Sequence, residues 1–164
     1  MRTRYLLLPL VLLLAGCPNT DYFDPTPKAS TGKAMVYLYR PEATNPGLAK
    51  PYRLSYPEIM VDGNSAGFLK YNRYLAVEVE PGEREFLVTG LTPDARWEPK
   101  DISYKLTTEA GKNYYMRLIV EFNTDKMTLG SFKNQYIFSF HPVPETDAVY
   151  EIRHTTEMDL SLIH

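Results

Sequence analysis

The chain has one cysteine, Cys17, among its 164 residues. A single thiol cannot form an intramolecular disulfide, and it cannot supply the cysteine cluster of a structural zinc site. The chain also has no basic excess, because 18 Lys and Arg and 20 Asp and Glu give a net charge of −2. Nucleic-acid binding usually requires a basic patch or stripe, so we expect no nucleic-acid partner.

Groups for catalysis and metal binding are scarce. His141, His154 and His164 are the three histidines, and no pair of them has the spacing of metal ligands on a recognisable element. The sequence has neither a glycine-rich phosphate loop nor a G-x-S-x-G nucleophile turn. We therefore expect no metal, no cofactor, no catalytic residue and no enzymatic activity. An enzyme whose groups assemble from distant positions remains as one alternative.

A basic start and a short apolar run precede the cysteine. Residues 1–4 include two arginines, residues 5–14 are mostly apolar, and Ala15-Gly16-Cys17 follow. This order is typical of a secretory signal peptide, which we predict over residues 1–16. The apolar run is too short to span a bilayer, because a spanning helix needs about 20 residues.

Leu14-Ala15-Gly16-Cys17 resembles the lipobox of bacterial lipoproteins at all four positions. The resemblance implies cleavage before Cys17, a diacylglyceryl group on its thiol, and an acylated amino terminus, with palmitate as a typical acyl chain. Two or more acyl chains hold a protein stably on a membrane. We therefore expect a periplasm-facing protein anchored in the cell envelope. The resemblance also implies a sorting rule, by which Asp directly after the cysteine retains a lipoprotein at the inner membrane; Pro18 stands at that position, so the outer membrane is favoured. An ordinary signal peptide with an incidental cysteine is the alternative.

The chain after the cysteine divides into a tether, a body and a tail. Residues 17–33 contain three prolines and no apolar periodicity, which predicts a flexible tether with a reach on the order of 40 Å. Residues 34–155 contain short alternating runs separated by turn residues and form the predicted domain. Residues 156–164 are predicted to be a tail.

About eight short strands and one short helix are predicted in the body. Strong signals are the Asp62-Gly63 hairpin and the Pro81-Gly82 turn, and the helix over residues 146–153 is expected to cover one end or edge. The pattern predicts an all-β fold, an antiparallel β-sandwich of immunoglobulin or transthyretin-like character, with a barrel as the alternative. Nine runs, some of them very short, have a strand-like pattern: 34–40, 59–61, 66–69, 74–80, 86–88, 101–107, 114–122, 127–129 and 136–140.

One strand carries the clearest core stripe. Its residues Tyr114, Met116, Leu118, Val120 and Phe122 share one face. The opposite sheet must cover this face, and the partners expected there are Val77, Val79, Phe86 and Val88.

Several of these motifs together resemble a family of bacterial lipoproteins. They are the lipobox, the linker, the strand from Ala34 to Pro41, the Val61-Asp62-Gly63 hairpin, the Pro81-Gly82 turn and the Tyr114-Tyr115 strand. The family carries a small β-sandwich domain of unknown function, and the pair of turn motifs is also similar to PEGA-type surface modules. The resemblance implies an envelope lipoprotein of β-sandwich fold and implies no activity.

The candidate binding residues are Arg96 and Trp97, which lie in a loop predicted between two strands. Trp, Tyr and Arg dominate interface hot spots, although Trp97 could instead fold back and plug one end of the sandwich. We expect a non-enzymatic, lipid-anchored protein whose sandwich binds an envelope protein partner. A glycan or peptidoglycan-binding module that uses Trp97 and nearby tyrosines is the second hypothesis.

Overall fold

A computed structural model describes residues 23–25, 28–42, 50–97, 101–123 and 136–158 of the chain. The predicted signal peptide, Cys17 and the predicted strand over residues 127–129 lie outside these ranges. The elements are β1 (Ala34–Arg40), β2 (Glu58–Val61), β3 (Asn64–Phe68), β4 (Arg73–Val79), β5 (Gly82–Thr89), β6 (Asp101–Thr108), β7 (Asn113–Phe122), β8 (Tyr136–Pro142), α1 (Glu145–Ile152) and β9 (Thr156–Glu157).

The strands form two sheets. Sheet A has the order β8-β7-β1-β4-β9, and sheet B has the order β3-β2-β5-β6. Most neighbours are antiparallel, but β1 pairs in parallel with β7 and β4 pairs in parallel with β9. The prediction of an all-β sandwich with a short C-terminal helix is confirmed.

The central core lies between the two sheets. Met116, Leu118 and Val120 of β7 are buried there together with Phe86 and Val88 of β5, so the stripe predicted on β7 faces the core. Buried branched and aromatic side chains of this kind provide most of the stabilisation of a sandwich.

Val77 and Val79 do not lie opposite this stripe, and that part of the prediction is wrong. Both residues belong to β4, which pairs with β1 in sheet A, the same sheet as β7. The Pro81-Gly82 turn leads from β4 in sheet A to β5 in sheet B, so it joins the two sheets. Gly82 has a φ of 115°, which glycine adopts without the strain of a side chain.

The central strand of sheet A is buried on both faces. All seven residues of β1 are buried, and its outward side chains Met35, Tyr37 and Tyr39 pack against Ala148 and Ile152 of α1. The helix therefore covers the outer face of sheet A, whereas the sequence placed it at one end or edge. Its two buried residues are four positions apart, which puts them on one side of a helix.

Strand β9 lies within the predicted tail. Thr156 and Glu157 pair in parallel with Arg73 and Tyr74 of β4, and the Tyr74 hydroxyl donates a hydrogen bond of 3.2 Å to the Glu157 carboxylate. Two polar residues give no detectable periodicity, so this strand has no signal in the sequence. Within the described residues, no helix has the length and apolar character needed to cross a bilayer.

The described part of the predicted tether lies on the protein. We call residues 23–25 and 28–33 the N-terminal segment. Phe23 and Ala29 pack against the tyrosines on the outer face of sheet A. This portion of the chain is therefore in contact with the body in the structure, although proline and polar residues predicted a free linker.

Candidate functional site

Trp97 lies inside the central core. Its side chain is 3% exposed, and its ring centroid is 5.3 Å from that of Phe138 and 6.0 Å from that of Tyr52. This is the plug arrangement that the sequence left open. Arg96, the neighbouring candidate, has an exposed side chain.

Buried Arg40 joins Trp97 to the loop that precedes β2. Its guanidinium donates hydrogen bonds to the backbone carbonyl oxygens of Ser55 (2.7 Å), Tyr52 (2.8 Å) and Pro51 (3.3 Å). Removal from water lowers the pKa of Arg40 to about 10. Sequence reasoning missed this residue, because an arginine at the end of an apolar strand gives no signal that its side chain turns inward.

Two loops meet at the Arg40 end of the sandwich: residues 50–57, which precede β2, and residues 90–97, which follow β5. The amide of Tyr56 donates to the carbonyl oxygen of Asp94 at 2.6 Å, and the amide of Arg96 donates to the Ser55 hydroxyl at 3.0 Å. Between them lies a shallow groove of about 320 Å³. The groove is lined by Tyr52, Leu54, Ser55, Pro93, Asp94 and Arg96.

The two loops expose aliphatic side chains. Leu54 is 79% exposed and Leu91 is 65% exposed. We call Leu54, Leu91, Pro93 and Arg96 the loop-end surface. Isolated apolar residues on a surface are ordinary. Here, however, two exposed aliphatic side chains and an exposed arginine lie on loops that are fixed by hydrogen bonds. Arginine is enriched in interface hot spots, and none of these side chains is a nucleophile or a general base, so the surface is suited to binding more than to catalysis.

A larger cleft of about 500 Å³ lies beside α1 and the C-terminal half of β7. Arg117 forms an ion pair with Glu151 in its wall, and the Tyr39 hydroxyl donates a 2.7 Å hydrogen bond to the same carboxylate. The described residues that line the cleft are Pro41, Glu42, Asn72, Arg117, Ile119, Val120, Glu121, Tyr150, Glu151 and His154.

The polar groups behind this cleft are engaged with one another. His141 Nε2 lies 3.1 Å from an Arg117 guanidinium nitrogen. Burial and, secondarily, the positive charge of Arg117 lower the pKa of the His141 imidazole. A neutral imidazole accepts the hydrogen bond that Arg117 donates. The network therefore attaches α1 to sheet A and leaves the Arg117 charge already neutralised by Glu151.

The two histidines that the structure describes have separate partners. His154 receives a hydrogen bond of 3.0 Å from Arg153, His141 contacts Arg117, and His164 lies outside the described residues. Among the residues that the structure describes, no group of three or more His, Cys, Asp or Glu side chains is arranged to hold a metal ion.

Comparison with known proteins gives one family. The family described as "Protein of unknown function (DUF2846)" matches residues 30–132, which is more than half of the chain. The match includes β1 to β7 and both loops of the loop-end surface, whereas β8, α1 and β9 lie beyond it. Neither the curated proteins nor the solved structures contain a match to this chain.

Proposed function

The chain belongs to the DUF2846 family, and we propose that it is a non-enzymatic, lipid-anchored protein of the cell envelope that binds a protein partner through the loop-end surface. In this proposal Cys17 carries the acyl chains and the outer membrane is the favoured location. The β-sandwich is the rigid support of the surface.

The anchor is supported by the sequence. The lipobox residues Leu14 to Cys17 follow a basic start and an apolar run, and lipidation gives a chemical use to a cysteine that has no second cysteine as a partner. Each acyl methylene that enters the bilayer contributes about 0.8 kcal/mol, so two or three chains retain a protein on the membrane stably.

The observation that carries the binding role is the exposure of Leu54 beside Arg96 on the groove between the two loops. A side chain that is 79% exposed contributes little to folding, since burial is what stabilises an apolar group. Hydrogen bonds from Arg40 and Tyr56 hold the backbone of these loops. A fixed backbone lowers the entropy lost on association.

The glycan hypothesis depended on an exposed Trp97. At 3% exposure its ring cannot stack on a sugar, and the large apolar side chains that are exposed in the described residues are Leu54, Leu91, Ile137 and Tyr150. Three of these four are aliphatic, which favours a protein partner, because sugar-binding sites rely on aromatic faces.

Photo-crosslinking in cells tests the proposal. A photoreactive amino acid at position 54 or 91 should give one discrete adduct, and the same group at Glu83, at the opposite end of β5, should give none. Leu54→Asp should decrease the adduct formed from position 91, whereas Ile137→Asp, an exposed position on β8, should leave it unchanged. Adducts that are insensitive to Leu54→Asp would contradict the assigned surface.

A further inference from the structure

The geometry points to a releasable N-terminal segment: we propose that residues 23–25 and 28–33 detach from sheet A as a unit, without unfolding of the sandwich, and thereby set how far the body stands from its anchor. The docking part of this inference is independent of lipidation. The part that concerns distance from the membrane rests on the proposed function.

Phe23 makes the main apolar contact of the segment. Its ring meets those of Tyr37 and Tyr74 edge to face, with centroid distances of 5.4 Å and 5.3 Å. Its amide donates to the Val149 carbonyl oxygen on α1 over a long distance of 3.4 Å. Edge-to-face ring pairs are a favoured aromatic geometry, so one side chain gives the segment a defined position.

A second attachment lies nearer to β1. The Ser30 amide and hydroxyl both donate to one carboxylate oxygen of Glu78, at 2.6 Å and 2.7 Å. These bonds are exposed to solvent, and they hold the pKa of the Glu78 carboxyl below its usual range. Lys33 adds an exposed ion pair with Glu80 at 3.6 Å, which contributes little to stability.

The remaining attachment is a backbone hydrogen bond of 2.7 Å from the Gly111 amide to the Lys33 carbonyl oxygen. The attachments of the segment are therefore few, and they lie outside the central core. In contrast, β1 pairs with β4 over seven residues and with β7 over five. Segments with few buried contacts and exposed hydrogen bonds open locally at a lower free energy than the whole fold. The N-terminal segment therefore opens first, while β1 stays in the sheet.

Release changes the number of residues between Cys17 and the first point of attachment to the body. Six residues along the chain lead from Cys17 to Phe23, and seventeen lead to Ala34. The reach of an extended chain is on the order of 20 Å when Phe23 is docked and, as predicted for the whole tether, on the order of 40 Å after release. The loop-end surface can then be held near the bilayer or extended towards a distant partner.

Hydrogen exchange of the mature full-length chain, read by mass spectrometry, tests the docking. In the wild type, peptides of the N-terminal segment should exchange more slowly than an unstructured peptide and faster than β1. Phe23→Ala should increase the rate of amide hydrogen exchange in the N-terminal segment at least about tenfold, the scale set by the loss of two aromatic contacts. The exchange rates of β1 should stay unchanged. Tyr150→Ala, an exposed aromatic on α1, is the matched control and should change neither.

A second variant avoids the aromatic cluster. Glu78→Gln should also increase the exchange rate of the segment, by a smaller factor, because it removes the negative charge of the carboxylate that accepts both Ser30 hydrogen bonds. Glu83→Gln is the control and should leave the exchange rate of the segment unchanged. The proposal is overturned if the amides of the wild-type segment exchange as fast as those of an unstructured peptide. It is also overturned if Phe23→Ala increases the exchange rate of β1 as much as that of the segment.

Energy transfer from Trp97, the single tryptophan, to dansyl-labelled lipid in vesicles tests the change in reach. Phe23→Ala should decrease the transfer in the lipidated protein, and Tyr150→Ala should not. Unchanged transfer in a variant whose segment exchanges freely would overturn the proposed change in reach. A chain without lipid would fail to bind vesicles in every variant, which would contradict the anchor while the exchange data still decide the docking.

Discussion

The Arg40 guanidinium carbon lies 5.5 Å from the centroid of the Trp97 ring. Arg40 is 2% exposed and donates to three carbonyl oxygens of the loop before β2. Trp97 packs against Tyr52, which lines the groove between the two loops. A cation over an aromatic face is attractive, and the attraction grows when water is excluded. This pair therefore joins the end of β1 to both loops that form the loop-end surface.

Trp97→Ala should destabilise the protein by about 3–5 kcal/mol, because truncation of a buried aromatic loses burial and leaves a cavity. Denaturant unfolding measures the change, and wild-type tryptophan emission should be blue-shifted. Leu91→Ala in the same loop is the control, and its effect should stay within about 0.5 kcal/mol. If Trp97→Ala lowered the free energy of unfolding as little as the control does, the burial of Trp97 in the core would be contradicted.

Arg40→Lys should lower the free energy of unfolding by about 1–3 kcal/mol. A single ammonium group cannot reproduce the planar arrangement of donors of the guanidinium, so a carbonyl oxygen is left unpaired. Amides of residues 50–57 should also exchange faster with solvent in this variant. Arg53→Lys, an exposed arginine in the same loop, should have no measurable effect. Equal and small effects of the two substitutions would show that Arg40 does not hold the loop.

Leu118→Ala should cost about 2–5 kcal/mol, because the side chain is 0% exposed between the sheets and its removal leaves a cavity. Ser103→Ala on the outer side of β6 is the control and should be close to neutral. Chemical denaturation of both variants gives the comparison. If the two substitutions lowered the free energy of unfolding by similar amounts, the assignment of the Leu118 face of β7 to the core would be contradicted.

The protein should lose stability in alkali between pH 10 and pH 12. Burial, and then the charge of Glu157, raises the pKa of Tyr37 and of Tyr74 to about 12. The folded state therefore retains protons that the unfolded state has lost, and the stabilisation present below pH 10 disappears as the pH rises through 12.

Thermal melts from pH 8 to pH 12 measure this decline. Tyr74→Phe should make it less steep, because one titrating group is removed, although the variant also loses the hydrogen bond to Glu157. Tyr150→Phe alters an exposed tyrosine and should keep the wild-type slope. A midpoint of unfolding that is constant to pH 12 would be incompatible with protonated, buried tyrosines.

Local signals predicted much of the fold. Asp62 and Gly63 have φ values of 48° and 78°, as a two-residue hairpin of type I′ requires. The run from Ala34 to Tyr39 has no charged residue, a pattern that is consistent with a strand buried on both faces. Long-range pairing was not predictable in this way. The parallel pairing of β1 with β7 joins residues far apart in the sequence, and the turn at Gly82 has the same local chemistry whether it closes a hairpin or joins two sheets.

The candidate site was predicted less well than the fold. Arg96 and Trp97 were found from composition, but their side chains point to different environments, and adjacent residues give no sign of which one enters the core. Leu54 and Arg40 had no signal, since exposure of one and burial of the other depend on how two loops meet. Phe23 was similarly hidden in a proline-containing segment, because one aromatic residue produces no periodicity.

The mass of the amino-terminal peptide from the membrane-bound protein tests the lipid anchor directly. We expect a chain that begins at Cys17 and carries a diacylglyceryl group on the thiol and an acyl chain on the amino terminus, and Cys17→Ala should abolish membrane retention. An unmodified Cys17, or a mature chain that begins at another residue, would contradict lipid anchoring at this cysteine.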